Sequence, residues 1–500
     1  MGELSKVISG LMKKGIIIDK GALELIKEKN VAPEDIESMK IESLVLTRDI
    51  LEAQLKKDAE APAKKMEPDL GAKKEKTAVL GDIRKPKLLT AKDAPHRVII
   101  ESPECPEPRE RSANSFVEYF NARYNILKNI LSHRQELKNL VSLGRLTKYS
   151  KDKNISVIGI VSNITKSKAG NTVVDIEDPS GSIKVIIMNH KDIGESEILN
   201  DEVIGIRGST SNGFMFADSI VLPDIPIPKG VRRVNDAVSA VFISDLHYGS
   251  RDFNTDIESR FLKWIRSPSA SQVKYLFICG DIVEGVGIYP GQESELIVKD
   301  IYAQYGLFEE FVEKIPEHIQ IIICPGNHDA VRISEPQPVI AREFVPGLWD
   351  RENVHLVTNP AYVNVHGIDC DGINVLMYHG YSFTSIVDVI PDLRQKGLEN
   401  PQHVMKYVLK RRHLAPPYGT CVAVPEKQDA LVITKIPDIF HTGDLHSHAI
   451  DNYKGITMIS SSTFQNQTPF MDRVGHVANP GKVTVVDLQT RETICVDLSS

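Results

Sequence analysis

Asp245 and His247 close the short apolar run Val241-Phe-Ile-Ser244, and Gly249 breaks the pattern just beyond them. An aspartate and an imidazole two positions apart can hold a divalent cation, but so short a pair is common. The pattern recurs four more times. The run Tyr275–Gly280 ends in Asp281-Ile-Val-Glu284, and Ile319–Cys324 ends in Pro325-Gly-Asn327-His328-Asp329. Ile373–Tyr378 ends in His379-Gly380, and Pro437–Phe440 ends in His441-Thr-Gly443-Asp444-Leu445-His446. Hard oxygen donors mixed with imidazoles suit divalent metal ions. A pair of such ions about 3.5–4 Å apart can clamp a phosphodiester and activate water at neutral pH. That chemistry needs one carboxylate shared by both ions, and Asp281, after its glycine, is the natural bridge. Asp245 and His247 then hold one ion, Asn327 and His379 the other. His328 follows Asn327 too closely to reach the same ion. It suits a donor to the phosphoryl or leaving oxygen, and Asp329 is placed to orient it.

To bring five such segments together, each apolar run must be a buried strand presenting its polar residues at the carboxyl end. Open α/β sheets carry their chemistry at that end. Residues 235–495 therefore read as one α/β domain. Upstream, from Asn154 to Asp224, the period changes to short strands. Ile155–Val161, Thr172–Ile176, Ile183–Met188, Val203–Ile206 and Phe214–Ile220 are separated by the turn signals Lys168–Asn171, Asp178–Gly181 and Ser211–Gly213. Five strands in so short a span suit an oligonucleotide/oligosaccharide-binding barrel over 151–228. Such barrels stack single strands on aromatics. Here Phe214 and Phe216 are the only candidates, so a structural or subunit-binding barrel is an equal reading. Residues 112–150 read as a helical connector. Ser115 is placed to cap a helix whose stripe runs through Phe116, Tyr119, Phe120, Tyr124, Leu127, Ile130 and Leu131. Residues 1–57 carry Leu4, Val7, Ile8 and Leu11 at helical spacing and read as a small helical module. The lysine-, glutamate-, alanine- and proline-rich stretch 58–111 reads as a flexible linker.

Five hundred residues suggest two to four domains. Hydrophobic and charged fractions of 41% and 25% are those of an ordinary globular protein. A net charge of −7 leaves no globally basic surface, so nucleic acid must be met by local patches. Six scattered cysteines without a Cys-x-x-Cys pair argue for a reducing compartment and against a cysteine-built zinc site. The chain has neither an apolar run of spanning length nor a signal-peptide pattern, so the expectation is a cytoplasmic protein.

In their order and spacing, Asp245-x-His247, Gly280-Asp281-x-x-Glu284, Gly326-Asn-His-Asp329, His379-Gly380 and Gly443-x-x-His446 resemble the calcineurin-like metallophosphoesterase superfamily. With the barrel before them, and with Val408–Gly419 and Ser461–Gln465 after, residues 112–490 resemble the small subunits of archaeal family-D DNA polymerases. The resemblance implies a metal-dependent 3′→5′ proofreading exonuclease that works beside a large polymerising subunit on the 3′ end of a single-stranded or mismatched primer. It also implies two divalent metal ions, manganese with magnesium as the alternative. Their ligands would be Asp245, His247, Asp281, Asn327, His379, Asp444 and His446, with His328 as the catalytic histidine. One departure stands out. The superfamily shows Gly-His-x-His at its last motif, whereas this chain has Gly443-Asp-Leu-His446, which adds negative charge and shortens the reach.

Several residues keep two readings. Glu284, one helical turn after Asp281, is either a support for the site or part of a solvated helix face. Lys410, Arg411 and Arg412, with Lys406 and His413, either contact DNA phosphates or form an ordinary charged helix face. His441 and His448 are spare imidazoles, and Trp264 and Trp349 are most simply core. Function keeps alternatives too: a non-catalytic scaffold subunit of the polymerase, or a metallophosphatase or phosphodiesterase acting on another phosphoester. Against the last, Asp281 lacks the Arg-Gly continuation of protein phosphatases.

Overall fold

The computed structural model describes residues 90–103, 105, 110–146, 151–188, 197–474 and 477–499, with the dipeptides 17–18 and 45–46. The chain divides into two units, residues 1–85 and 86–500. In the first, Ile17–Ile18 pairs in parallel with Val45–Leu46. The helical module expected over 1–57 otherwise lies outside the described residues, as does the linker from 58 to 89.

The second unit opens with strand β1 (Val98–Glu101) and helix α1 (Ala113–Ser132). Five strands follow: β2 (Ile155–Lys166), β3 (Thr172–Asp178), β4 (Gly181–Ile187), β5 (Val203–Ser211) and β6 (Phe214–Val221). The chain continues through β7 (Ser239–Ile243), α2 (Thr255–Ile265), β8 (Val273–Cys279), α3 (Ile301–Glu313), β9 (Gln320–Cys324) and β10 (Val354–Leu356). After β11 (Ala361–Val365) and β12 (Ile373–Met377) come α4 (Phe383–Val389), α5 (Pro391–Lys396) and α6 (Gln402–Arg411). Strands β13 (Ile439–Thr442), β14 (Ala449–Tyr453), β15 (Ile456–Ser460), β16 (Lys482–Asp487) and β17 (Thr493–Asp497) complete it. The architecture is mixed α/β, with a closed barrel beside two stacked sheets.

One sheet runs β10-β9-β8-β7-β16-β17, its first four strands parallel. The other runs β14-β15-β13-β12-β11-β1, with β12, β13 and β15 parallel. Strand alternation builds the layers. Val241, Ile243, Leu276, Ile278, Ile321 and Ile323 face α2 and α3 through Phe261, Phe308 and Phe311. Their neighbours Phe242, Tyr275, Phe277 and Ile322 pack between the sheets against Val363, Val375, Met377, Ile439 and Ile459. On the far side, Leu376, Phe440 and Met458 meet Met405 and Val408 of α6. Parallel strands covered on both faces need side chains that are apolar on both, which is why these runs carry no polar alternation. Truncating one such residue, Phe277→Ala, would cost about 3–5 kcal/mol.

The barrel closes in the order β2-β3-β4-β6-β5, with β5 paired back onto β2. Its interior is Val157, Val161, Val174, Ile176, Val185, Ile204, Ile206 and Met215. Several strands outrun the sequence reading. β2 continues past Val161, through a register shift before Asn163, to Lys166. That half is polar, and backbone pairing with β3 needs no apolar pattern.

Several expectations are corrected. Part of the stretch read as linker is ordered: β1 forms the edge of the second sheet against β11. Just before it, buried Ala91 accepts a hydrogen bond from Lys274 Nζ at 2.9 Å. Four residues with two exposed isoleucines give too short a pattern to recognise in sequence. The N-cap of α1 is Ser112, not Ser115; Ser115 lies one turn in, where its hydroxyl accepts the Ser112 amide at 3.3 Å. The α1 stripe splits between two neighbours. Tyr119 joins the helices under the second sheet, while Tyr124, Leu127 and Leu131 pack on Ile158, Val203 and Val221 of the barrel. Trp349 is 43% exposed rather than core, its indole N–H donating to Ile340 O at 3.2 Å, whereas Trp264 is half-buried and packs against the core beside Phe261. No described helix is long and apolar enough to cross a membrane.

Candidate metal centre

Parallel strands within each sheet send the residues after β7, β8, β9, β12 and β13 to one end, and there their polar side chains converge. Asp245, His247, Asp281, Asp444 and His446 all adopt positive φ, between 48° and 66°. This left-handed conformation is uncommon for non-glycine residues and concentrates at functional sites. It turns each side chain sharply off its strand. Close packing adds a second constraint. A Cβ on Gly326 would collide with Asp281 Oδ1, and one on Gly443 would lie 2.5 Å from Asp245 Oδ2.

Two groups of ligand-type side chains result. In one, His247 Nε2 and His446 Nε2 face each other at 3.0 Å, and Asp245 Oδ1 lies 3.4 Å from His446 Nε2 and 4.0 Å from His247 Nε2. Ligands sharing one ion at about 2.1 Å stand about 3.0–3.5 Å apart and at most about 4.2 Å, so the spacing admits a cation between them. In the other, His379 Nε2 lies 3.3 Å from Asp281 Oδ1 and 3.8 Å from Asp444 Oδ1. Asp281 joins both: its Oδ2 is 3.9 Å from His247 Nε2 and 4.0 Å from His328 Nε2. Buried atoms here that lack a hydrogen-bond partner among the described residues include Asn327 Oδ1 and His379 Nε2. Such atoms are costly to bury unless something coordinates them. The donor set and its orphaned atoms fit divalent cations.

The electrostatics agree. Burial pushes the Asp444 carboxyl up to about 6, with Asp281 and Asp245 adding to the rise against His379 and His446. Asp329 is likewise pushed up to about 6 by burial and by Asp281. Burial would raise Asp281 too, but His379, His328 and His247 outweigh it and hold it far below the usual carboxylate range. For His379, burial is overcome by Asp281, Asp245 and Asp444, and its pKa rises. Crowded buried carboxylates, some already shifted toward neutrality, favour an added positive charge.

Hydrogen bonds fix the orientations. His379 Nδ1 pairs with Cys279 O at 2.8 Å, leaving Nε2 for the site. His328 Nδ1 pairs with Glu284 O at 2.8 Å, and its ring stands edge-on to His247 with centroids 5.0 Å apart. Asp245 accepts the Asp444 amide at 3.1 Å and the Ser244 hydroxyl.

The structure thus brings together Asp245, His247, Asp281, His328, His379, Asp444 and His446, and Asn327, between Gly326 and His328, has its Oδ1 buried. It separates others. Asp329 does not orient His328: its carboxylate accepts from the Gly326 amide at 2.8 Å and the Tyr305 hydroxyl at 3.1 Å, bracing the loop instead. Arg411 and Arg412 do not face solvent. Arg411 is 3% exposed, pairs with Glu202 of the barrel at 3.2 Å and stacks on Tyr407. Arg412 donates to Ile433 O and Thr434 O at 2.7 and 2.8 Å. Lys410 is half-buried, and Lys406 alone of the cluster is exposed. His441 points between the sheets, within 2.8 Å of Ser461 Oγ, and His448 pairs with Thr484 Oγ1 at 2.9 Å. Neither reaches the ligand groups. No helix follows Asp281, so Glu284 is not on a helix face; it is buried, with Oε2 3.0 Å from His247 Nδ1. Glu335 was missed. Burial pushes it up to about 7, and it accepts the Tyr378 hydroxyl at 3.1 Å. Nothing in its local sequence signals that position.

Residues 240–451 match the family model for the B subunit of DNA polymerase alpha/epsilon. Curated relatives extend the likeness. The DNA polymerase II small subunit of Methanothermobacter thermautotrophicus is 38% identical over 74% of this chain and 77% of its own. That of Archaeoglobus fulgidus is 38% identical over 75% of each chain. The one from Methanocaldococcus jannaschii is 38% identical over 75% of this chain and 63% of its own length, so the match spans just under two thirds of that relative. Among solved structures, an archaeal phosphodiesterase aligns over 52% of this chain and 99% of its own, at 13% identity and a TM-score of 0.26. That likeness is too slight to bear on the chemistry.

Proposed function

The chain belongs to the family of DNA polymerase II small subunits, and from that premise we propose that it is a metal-dependent 3′→5′ DNA exonuclease. In this reading it removes mismatched primer ends for a large polymerising subunit to which it binds. The observation that carries the proposal is Asp281, whose two carboxylate oxygens face two separate groups of ligand side chains. A shared carboxylate of this kind serves a two-ion phosphodiesterase better than a single-ion or structural site.

Asp245, His247 and His446 would hold one divalent cation, Asn327, His379 and Asp444 the other, with Asp281 between. When bound, such a pair neutralises the phosphodiester charge and lowers the pKa of water, with manganese the expected ion and magnesium the alternative. The remaining work belongs to the chain. Its buried site excludes bulk water, which strengthens each charge interaction. His328 keeps Nε2 toward Asp281 because Nδ1 is engaged by Glu284 O, so it is placed to give a proton to the departing 3′ oxygen or to bind a phosphoryl oxygen.

The test is digestion of a 5′-labelled, 3′-mismatched primer–template with Mn²⁺, comparing the chain with its Asp281→Ala variant. A ladder shortening from the 3′ end and absent in the variant is expected. A variant that keeps full metal-dependent activity sinks the proposal. If neither digests, repeating the assay with the large subunit decides: continued absence of a ladder favours the non-catalytic scaffold reading.

A further inference from the structure

Glu284 touches both halves of this chemistry. Its side-chain Oε2 lies 3.0 Å from His247 Nδ1 in a bent contact, while its main-chain oxygen receives His328 Nδ1 at 2.8 Å. The side chains hydrogen-bonded to the carboxylate are donors. Gln465 Nε2 gives to Oε2 at 3.0 Å and Gln292 Nε2 to Oε1 at 3.4 Å, while the Tyr289 hydroxyl lies 3.4 Å from Oε1 and 2.8 Å from Glu295 Oε2. Gln292 also donates to the Glu284 main-chain oxygen at 2.9 Å, and the Glu284 amide donates to Tyr248 O at 2.9 Å. Gln465 is itself held by Ser250 Oγ at 2.6 Å. A residue 3% exposed and tied at its amide, its carbonyl and both carboxylate oxygens has little freedom to move.

We infer that Glu284 is a positioning residue that sets the orientation of His247 and His328 together. Its carboxylate takes the Nδ1 side of His247 and turns Nε2 toward Asp245 and His446. Its carbonyl takes the Nδ1 side of His328 and turns that Nε2 toward Asp281. One short segment thereby couples the ligand geometry at one cation to the aim of the proton-handling histidine. A carboxylate behind a ligating imidazole raises its basicity and fixes its tautomer, and losing such a partner typically weakens metal binding by about 10–100-fold. The inference rests on the reading of the site as a metal centre and deepens it.

The test measures Mn²⁺ binding by calorimetry on the whole chain, for wild type, Glu284→Ala and Glu284→Gln, with thermal melts of each metal-free form. Glu284→Ala should bind Mn²⁺ about 10–100-fold more weakly. Glu284→Gln, which keeps the shape and one acceptor oxygen, should fall between the two. If Glu284→Ala does not fold, Glu284→Gln carries the comparison alone. Wild-type affinity in a folded Glu284→Gln and in any folded Glu284→Ala overturns the inference, since packing alone would then account for the residue. A wild-type chain that binds Mn²⁺ yet never cuts DNA overturns the exonuclease reading and leaves this comparison standing. A wild-type chain that binds no Mn²⁺ overturns both.

Discussion

Stability between pH 7.5 and 4.5 should be governed in part by one histidine remote from the metal centre. His413 is 1% exposed. Its Nδ1 accepts the Ala415 amide at 3.0 Å, and its Nε2 faces Asp429 Oδ2 at 2.9 Å, so the ring is held neutral with the proton on Nε2. The same Asp429 oxygen takes Arg123 Nε at 2.7 Å. Burial, with the Arg123 charge behind it, lowers the His413 pKa from 6.5 to about 4 despite Asp429. Asp429 itself, though burial opposes it, is held far below the usual range by Arg123 and His413, so it stays ionised throughout this window. Above pH 6.5 neither folded nor unfolded chain carries the His413 proton. Between 6.5 and about 4 the unfolded chain binds a proton that the folded one refuses, and stability falls as pH falls. At about 1.4 kcal/mol per pH unit, roughly 2.7 kcal/mol is lost by pH 4.5. Glutamine at this position keeps a donor for Asp429 and cannot titrate. His413→Gln should cost about 1–2 kcal/mol at pH 7.5, from imperfect packing and hydrogen bonding. Acidification should then close the gap, and the two stabilities should cross between pH 5 and 6. Urea unfolding of the metal-free proteins at pH 7.5, 6.5, 5.5 and 4.5, followed by circular dichroism, measures this. A difference that stays constant across the four values would refute the reasoning.

Three further outcomes follow from the same geometry. Asp444→Asn removes a buried carboxylate pushed up to about 6, whose ionisation costs folded-state stability as pH rises from 3.8 through 6. At pH 8 the metal-free variant should be more stable by about 1–3 kcal/mol, yet gain less from added Mn²⁺ in thermal melts. For the wild type, Mn²⁺ at one hundred times its dissociation constant should stabilise the fold by about 2.7 kcal/mol over a chelated sample, and calorimetric melting with and without chelator reads this directly. Arg411→Ala leaves Glu202 buried without its cationic partner, keeping the Tyr407 hydroxyl at 2.6 Å, and should cost about 3–5 kcal/mol. Because the guanidinium faces the barrel, the salt dependence of DNA binding by the folded variant should not change. A log–log salt slope smaller by about one would instead return Arg411 to the DNA contacts.

Much of the centre was legible because its information is local. An apolar run followed by Asp, Asn or His states both that a strand is buried and what its end presents, within ten residues. Five repeats of that statement located Asp245, Asp281, Asn327, His379 and His446, and turn residues marked out the barrel strands. Burial of long polar side chains is not local. Arg411 and Arg412 read as a charged helix face because nothing in α6 says that Glu202 of the barrel covers one and that the carbonyls of Ile433 and Thr434 take the other. Arg123 and Asp429 meet across 306 residues, a distance no periodicity spans. His441 and His446 share one segment, yet the first is inside β13 and points between the sheets while the second lies beyond it, turned by a positive φ into the site. Sequence by itself determined which residue types reach the carboxyl ends of the strands, since strand formation and polarity depend on near neighbours. Only the tertiary structure decided which nitrogen of each imidazole faces the centre, and that Glu284 stands behind two of them. Those choices are made by hydrogen bonds to groups from other strands and loops, and they exist only once the chain has packed.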